Sequence, residues 1–361
     1  MTELLARLSL QFIPELSNGT IKKLLQVFGN AADIFQEKTV ILKNGKRIQI
    51  PEISDTVKRQ AEFEAESMER HHINLCFYTD ADFPRRLKSC NDSPYMLYYK
   101  GENIFSEQKM LAVVGTRNVT PYGKDITKKI IEELAEYNVC IISGLARGVD
   151  TVAHEHALEN NLKTAAVMGA GLRIIYPDCN ERLAQRIEEQ GGALVSEFPF
   201  KTKPDRQNFP QRNRIIAGMA DATVVMETAQ KGGSIITAYI AHSYNRDVFA
   251  VPGNIFSPTH EGCNALIHKN VAALVTSGAE IAEMMGWDIQ PQKNVQKKLF
   301  IELTDDEKAI TDLINAHPDM MIDELIEQLP QFPPSKLATL LLQLELNGVI
   351  LCNPGKCYRI N

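Results

Sequence analysis

KMLAVVGTRNVTPYGKDITKKIIEELAEYNVCIISGLARGVDTVAHEHAL, residues 109–158, decides the fold. It opens on an apolar run, Met110 to Val114, that shows no polar alternation and ends in a glycine. A helical pattern follows, then a second apolar run, VCIISG, and a second glycine turn. A strand that is apolar at every position is buried on both faces, and strands separated by single helices pair in parallel. The same rhythm continues through KTAAVMG, ALVSEF, ATVVME, DVFAVPG and AALVTS, with NERLAQRIEEQ and ITAYIAHSYN among the helical segments between. The pattern predicts an α/β fold over residues 71–288, built on a doubly wound and mostly parallel sheet.

The flanks read differently. TIKKLLQVFG and AADIFQ carry apolar residues at helical spacing, broken by Gly19 and Gly29, so residues 1–70 predict a small helical domain. Residues 73–101 are mixed, with Pro84 and Pro94 interrupting any long element. Residues 289–300 are polar and predict a linker. Residues 301–361 give three helices and then a hairpin with a Pro-Gly turn, the order of a winged helix. Its third helix, PSKLATLLLQLELNG, offers Lys336 as its cation and carries Glu345. A groove reader should be basic there, so this domain is expected to contact protein or a second copy.

Composition narrows the function. The chain is 44% hydrophobic and 23% charged, with 39 Lys+Arg against 45 Asp+Glu, a net charge of −6. That balance argues against coating long duplex DNA but leaves room for one local basic groove, because the field that steers a polyanion is local. MTELLARLSLQFIPEL is too short and too polar to span a bilayer, and a cytoplasmic protein without a membrane partner is expected. Cys76, Cys90, Cys140, Cys179, Cys263, Cys352 and Cys357 are dispersed and form no CxxC pair. Neither a disulfide framework nor a metal site is expected.

Ligands of a doubly wound sheet sit beyond the carboxyl ends of its strands. Here those ends carry glycine turns: GTRN from Gly115, SGLARGVD with Ser143 and Gly144, GAGL with Gly171, and KGGS with Gly232, Gly233 and Ser234. Such turns let a backbone approach phosphate closely, and N–H groups at helix starts favour anions. None is a GxGxxG or a GxxxxGK[ST] loop, so no nucleotide cofactor is expected. Arg117 and Arg147 stand at two of the turns. KTKPDRQNFPQRNR (201–214) adds Lys201, Lys203, Arg206, Arg212 and Arg214 against one acid, Asp205. Arginine suits phosphate through planar, bidentate contacts. Arg212 and Arg214 are placed at the start of a helix, where positive charge opposes the helix dipole, so a functional demand is expected. The alternative for the pair is an ion pair to Asp221 or Glu197. Phe209, in a Pro-flanked loop, could stack a base or anchor packing. Asp150 is expected to cap the helix it starts. His154 and His156, two residues apart, do not share a helix face and are not expected to be catalytic.

GTRN, ISGLARGVDTVAHEHAL, GAGLRIIYPDCN, SEFPF, FPQRNRIIAG, KGGSIITAYIAHSYNRDVFAVPG and GCNALIHKN, in that order, resemble the DNA-processing protein DprA (Smf) family. The resemblance runs from about residue 73 to about 285. It implies an extended Rossmann domain that binds single-stranded DNA, forms homodimers through that domain, protects incoming strands in natural transformation and loads the RecA recombinase onto them. It implies Arg117, Arg212, Asn213 and Arg214 as DNA contacts, with Lys201 and Lys203 matching a looser basic stretch. Arg147 lies in GLARGVD and is either a contact or structural. No catalytic residue is implied. The competing reading is enzymatic: Glu227 before KGGS resembles the acid and Gly-Gly turn of the LOG family of nucleotide phosphoribohydrolases, although the Pro-Gly-Gly-x-Gly-Thr form is absent. SNG (17–19) stands where a DNA-binding hairpin would want Gly-x-Gly.

Overall fold

The computed structural model describes residues 1–41, 47–287, 303–317, 320–347, 349–353 and 357–360. Nine strands form the central sheet: β1 (Asn74–Phe77), β2 (Met96–Gly101), β3 (Met110–Val114), β4 (Cys140–Ser143), β5 (Thr164–Val167), β6 (Ala193–Ser196), β7 (Ala222–Val225), β8 (Asp247–Ala250) and β9 (Ala273–Leu274). Their order is β9-β8-β7-β3-β4-β5-β6-β2-β1. From β9 to β6 every pairing is parallel, and β2 and β1 extend the sheet antiparallel. Every residue of β3 to β7 is buried, as the unbroken apolar runs require. The chain leaves β3 for β4 on one side and β7 for β8 on the other, so the topological switch lies between β3 and β7.

The helices that matter for the rim are α1 (Pro121–Ala135), α2 (Val149–Glu159), α3 (Glu181–Glu189), α4 (Asn208–Met219) and α5 (Gly233–Ser243). Helix α1 shows the local logic. Thr120 is its N-cap, its hydroxyl accepts the Gly123 N–H at 3.1 Å, and Pro121 supplies a preset φ at the first position.

Residues 1–71 form helices at Glu3–Gln11, Asn18–Phe28, Ala31–Ile34 and Asp55–His71, with a two-stranded hairpin of Thr39–Ile41 and Arg47–Gln49 that apolar spacing did not announce. Gly29 ends a helix with φ 72°, but Gly19 lies inside one, and Ser17 caps that helix by accepting the Thr20 N–H. These helices do not close a core of their own. Leu8, Leu24, Ile34 and Met68 pack in one cluster with Tyr98, Leu145, Met168 and Phe200 of the sheet region. Met1–Ala282 form one compact unit.

Glu283–Asn361 form the second unit. Helices Asp305–Ala316, Ile322–Gln328 and Pro334–Leu346 precede strands Ile350–Asn353 and Cys357–Ile360, which pair antiparallel beside Met320–Met321. Ile310, Leu325, Leu337, Leu341 and Tyr358 make its core. The linker expected at 289–300 and the Pro-Gly turn lie outside the described residues.

Candidate nucleic-acid interface

Four loops at the carboxyl ends of β3, β4, β5 and β6 are tied into one rim. The Val149 N–H donates to Thr116 O at 3.1 Å, joining the first loop to the second. Asn180 Nδ2 donates to Leu145 O at 2.8 Å and to Thr151 Oγ1 at 2.9 Å, joining the third to the second. The Gly171 N–H donates to Thr202 O and the Arg173 N–H to Phe200 O, joining the third to the fourth. The fourth is braced from the N-terminal helices, where buried Glu64 accepts the Phe200 N–H at 2.5 Å and Gln11 Nε2 donates to Glu197 O at 3.0 Å. Side chains on this rim therefore project from a fixed frame.

Two of the predicted contacts point into that frame. Helix α4 begins at Asn208, so Arg212 and Arg214 lie beyond its first turn and do not oppose the dipole at its start. Arg212 is 4% exposed, and its Nη1 donates to Gly144 O at 2.6 Å and Val167 O at 2.7 Å. It stitches together the carboxyl ends of β4 and β5. Burial lowers its pKa to about 10, nearby Asp150 counters that, and Arg117 adds to it; the guanidinium stays charged at neutral pH. Arg214 donates to Glu197 and to Asp92 O. The ion pair with Glu197 considered in the sequence is thus present, whereas Asp221 pairs with Arg86. Arg212 and Arg214 are internal struts of the rim, which corrects their placement as outward contacts. The local pattern could not reveal this, because their partners are 17 to 122 residues away.

Asp150 is also corrected. Gly148 occupies the cap position of α2, and Asp150 lies within the helix, buried. Its Oδ2 accepts the Gly144 N–H at 3.1 Å and the Ala146 N–H at 3.3 Å, holding the second loop. Burial pushes its carboxyl pKa up, while Arg212 and the two N–H donors pull it down.

Most of the glycine turns are filled by protein. A Cβ on Gly144 would strike the Arg212 guanidinium, one on Gly115 would strike Val149, one on Gly171 the carbonyls of Pro199 and Phe200, and one on Gly232 Thr228 Oγ1. Ser143 and Ser234 are buried, their hydroxyls donating to Val113 O at 2.6 Å and Thr228 Oγ1 at 2.7 Å. These positions allow close packing and are not open phosphate cradles. Gly233 differs: it is exposed to open space at the start of α5.

The remaining cations face outward. Arg117, Arg147 and Lys203 are exposed and make no ion pair or side-chain hydrogen bond among the described residues. Lys201 is exposed too, with Nζ 3.6 Å from the Phe63 ring centroid. Asn213 is half-buried. Phe209 is half-buried over Gly169, with the Arg117 guanidinium 5.1 Å and that of Arg212 6.0 Å from its centroid. Three residues outside the predicted set join them. Arg173 and Arg206 are exposed and unpaired among the described residues, and the Tyr176 ring lies 5.9 Å from Phe209. Arg206 stood in the basic stretch, and Arg173 and Tyr176 in GAGLRIIYP, so the signal was present but unweighted. Together these groups give an open, cationic rim with two aromatic rings, suited to a flexible polyanion that carries bases.

The switch between β3 and β7 is closed instead. Glu227 is 0% exposed, and its Oε2 accepts the Thr120 N–H at 2.9 Å at the start of α1. Gly123 leaves room for that carboxylate, which a Cβ would strike. The chain's own acid occupies the helix N-terminus where an anionic ligand would otherwise bind. His260 Nε2 lies 3.8 Å from its other oxygen.

Comparison with known proteins agrees with this architecture. A family described as DNA recombination-mediator protein A matches residues 74–286, and one described as DprA winged helix domain matches residues 301–356. Protein Smf of Escherichia coli is 38% identical over 294 residues, 80% of this chain and 78% of that protein. The crystal structure of DNA processing protein A from Streptococcus pneumoniae is similar with a TM-score of 0.62 and 32% identity, over 78% of this chain and 98% of that one. A structure of DNA processing protein A from Helicobacter pylori, described for its single-stranded DNA binding mode, aligns with a TM-score of 0.54 and 28% identity, over 60% of this chain and 96% of that one. Among the described residues, no helix is long and apolar enough to cross a membrane.

Proposed function

This chain belongs to the DNA recombination-mediator protein A family, and from that premise we propose that it binds single-stranded DNA along the rim of its sheet, without making or breaking a bond. The observation that carries the proposal is a set of exposed rim cations that make no ion pair or side-chain hydrogen bond among the described residues, Arg117, Arg147, Lys203 and Arg206, with Arg117 over half-buried Phe209, in a protein of net charge −6. Cations that were merely structural would be paired, as Arg212 and Arg214 are. Phosphates follow the cations, Lys201 and Asn213 flank the path, and the ring meets a base, worth roughly 1–3 kcal/mol per stacked base.

The downstream role we propose is protection of incoming strands in transformation and delivery of RecA recombinase to them in the cytoplasm. Homodimers through the sheet domain belong to the same proposal. Strand β9 is an open edge that exposes Leu274, which supports such a contact. The phosphoribohydrolase alternative would require an acid facing substrate at KGGS, and Glu227 is fully buried against Thr120.

Fluorescence anisotropy with oligo(dT) and a duplex of equal length, titrated with salt, tests the proposal. Single strands should bind more tightly than duplex, with a slope of log K against log salt of about −0.7 for each phosphate contact. Equal binding of duplex, or binding indifferent to salt, would overturn it.

A further inference from the structure

Tyr176 has no evident structural employment. Its neighbour Ile175 packs against the core cluster, but Tyr176 does not belong to that cluster and is 44% exposed. Its hydroxyl has no hydrogen-bond partner among the described residues. A surface tyrosine commonly keeps an apolar body covered and its hydroxyl wet. Here the ring stands on a rim loop held at both ends, by Arg173 N–H to Phe200 O and by Asn180 to Leu145 O and Thr151 Oγ1. That bracing fixes its place beside Phe209, with ring centroids 5.9 Å apart and planes inclined at 41°. The Arg117 guanidinium also lies against Phe209, 5.1 Å from its centroid.

One cation and two rings are therefore grouped at this point of the rim. The inclination and spacing leave no room for a base between the rings, but each ring keeps part of its surface exposed. Successive bases of a single strand splay readily, and aromatic side chains hold them one by one because every base has a π face. From this placement, and resting on the single-strand reading above, we propose that Tyr176 is a second base-stacking residue, so that Phe209 and Tyr176 hold two bases of a strand whose phosphate meets Arg117.

The test compares the full-length wild type with Tyr176→Ala and Tyr176→Phe on two strands of equal length: oligo(dT), and the same strand with abasic sites throughout its centre. Tyr176→Ala should lose about tenfold in affinity for oligo(dT), and Tyr176→Phe should retain it. On the abasic strand all three should bind alike, since phosphates remain and rings have nothing to stack. If Tyr176→Ala binds oligo(dT) as the wild type does while Arg117→Ala weakens it, the stacking role falls and the single-strand reading stands. If Tyr176→Ala weakens both strands equally, the ring merely positions Phe209 and Arg117, and the stacking role falls again. Wild type that does not bind oligo(dT) would overturn both.

Discussion

Arg117 and Arg212 both flank the ring of Phe209, at 5.1 and 6.0 Å, and are put to opposite uses. Arg212 belongs to the wall beneath the rim, with Asp150, Gly144 and His154, where Arg212 Nη1 and Asp150 Oδ2 are held by backbone groups of the fold while Arg212 Nε and His154 Nε2 are buried without a hydrogen-bond partner among the described residues. Arg117 belongs to the rim above, with Arg147, Lys203 and Arg206, where cations are exposed and make no ion pair or side-chain hydrogen bond among the described residues. The lesson is that a basic motif divides by what the fold offers each side chain. A cation within reach of strand-end carbonyls builds the platform, and one beyond them stays exposed.

The contrast breaks most visibly in the wall. Arg212→Ala leaves two strand-end carbonyls without their donor and a buried Asp150 without its counter-charge, so a loss of about 3–5 kcal/mol is expected in urea unfolding. A variant as stable as the wild type would show that Arg212 is not a strut. His154 sharpens the same side by pH. It is fully buried with Nδ1 2.7 Å from Thr164 Oγ1, and burial, with Arg212 nearby, lowers its pKa from 6.5 to about 3. The unfolded chain takes that proton near 6.5 and the folded chain does not, so the unfolded state binds more protons in between. Stability should fall as pH drops through that window, by up to about 1.4 kcal/mol per pH unit from this group. In His154→Gln, the curve of melting temperature against pH should be flatter there.

The rim should answer in binding and not in stability. Arg117→Ala is expected to weaken oligo(dT) about tenfold, across sequences alike, with the unfolding midpoint unchanged. A large loss of stability would place Arg117 in the wall instead. The smallest effect is expected at Arg206, an exposed cation for which no aromatic contact is seen among the described residues. Arg206→Ala should reduce the salt slope by about 0.7 and affinity by a few-fold, measured by anisotropy from low to moderate salt.

Much of this was legible without coordinates. Apolar runs without alternation announced β3 to β9; for β3 to β7 the reason is that a strand buried on both faces must be apolar throughout, whereas both residues of the edge strand β9 are exposed. The three helices and hairpin of the second unit were equally plain. The strand-end motifs located the rim. What stayed hidden was the N-terminal hairpin, whose three-residue strands are too short to show a period, and the shared core that joins the first 71 residues to the sheet. What fills most of the glycine turns stayed hidden for a related reason: a glycine that admits a ligand and one that admits Val149 or Arg212 look the same in a sequence.

The amino-acid sequence alone determined the sheet, the winged helix and the concentration of cations and glycines at one edge, because periodicity and turn chemistry are local. Tertiary structure decided which cations are free. The carbonyls that hold Arg212 come from residues 68 and 45 positions away, and Glu227 closes the switch on an N–H 107 positions distant. A long charged side chain turns toward whatever acceptor the packed chain brings near, and only folding brings it there.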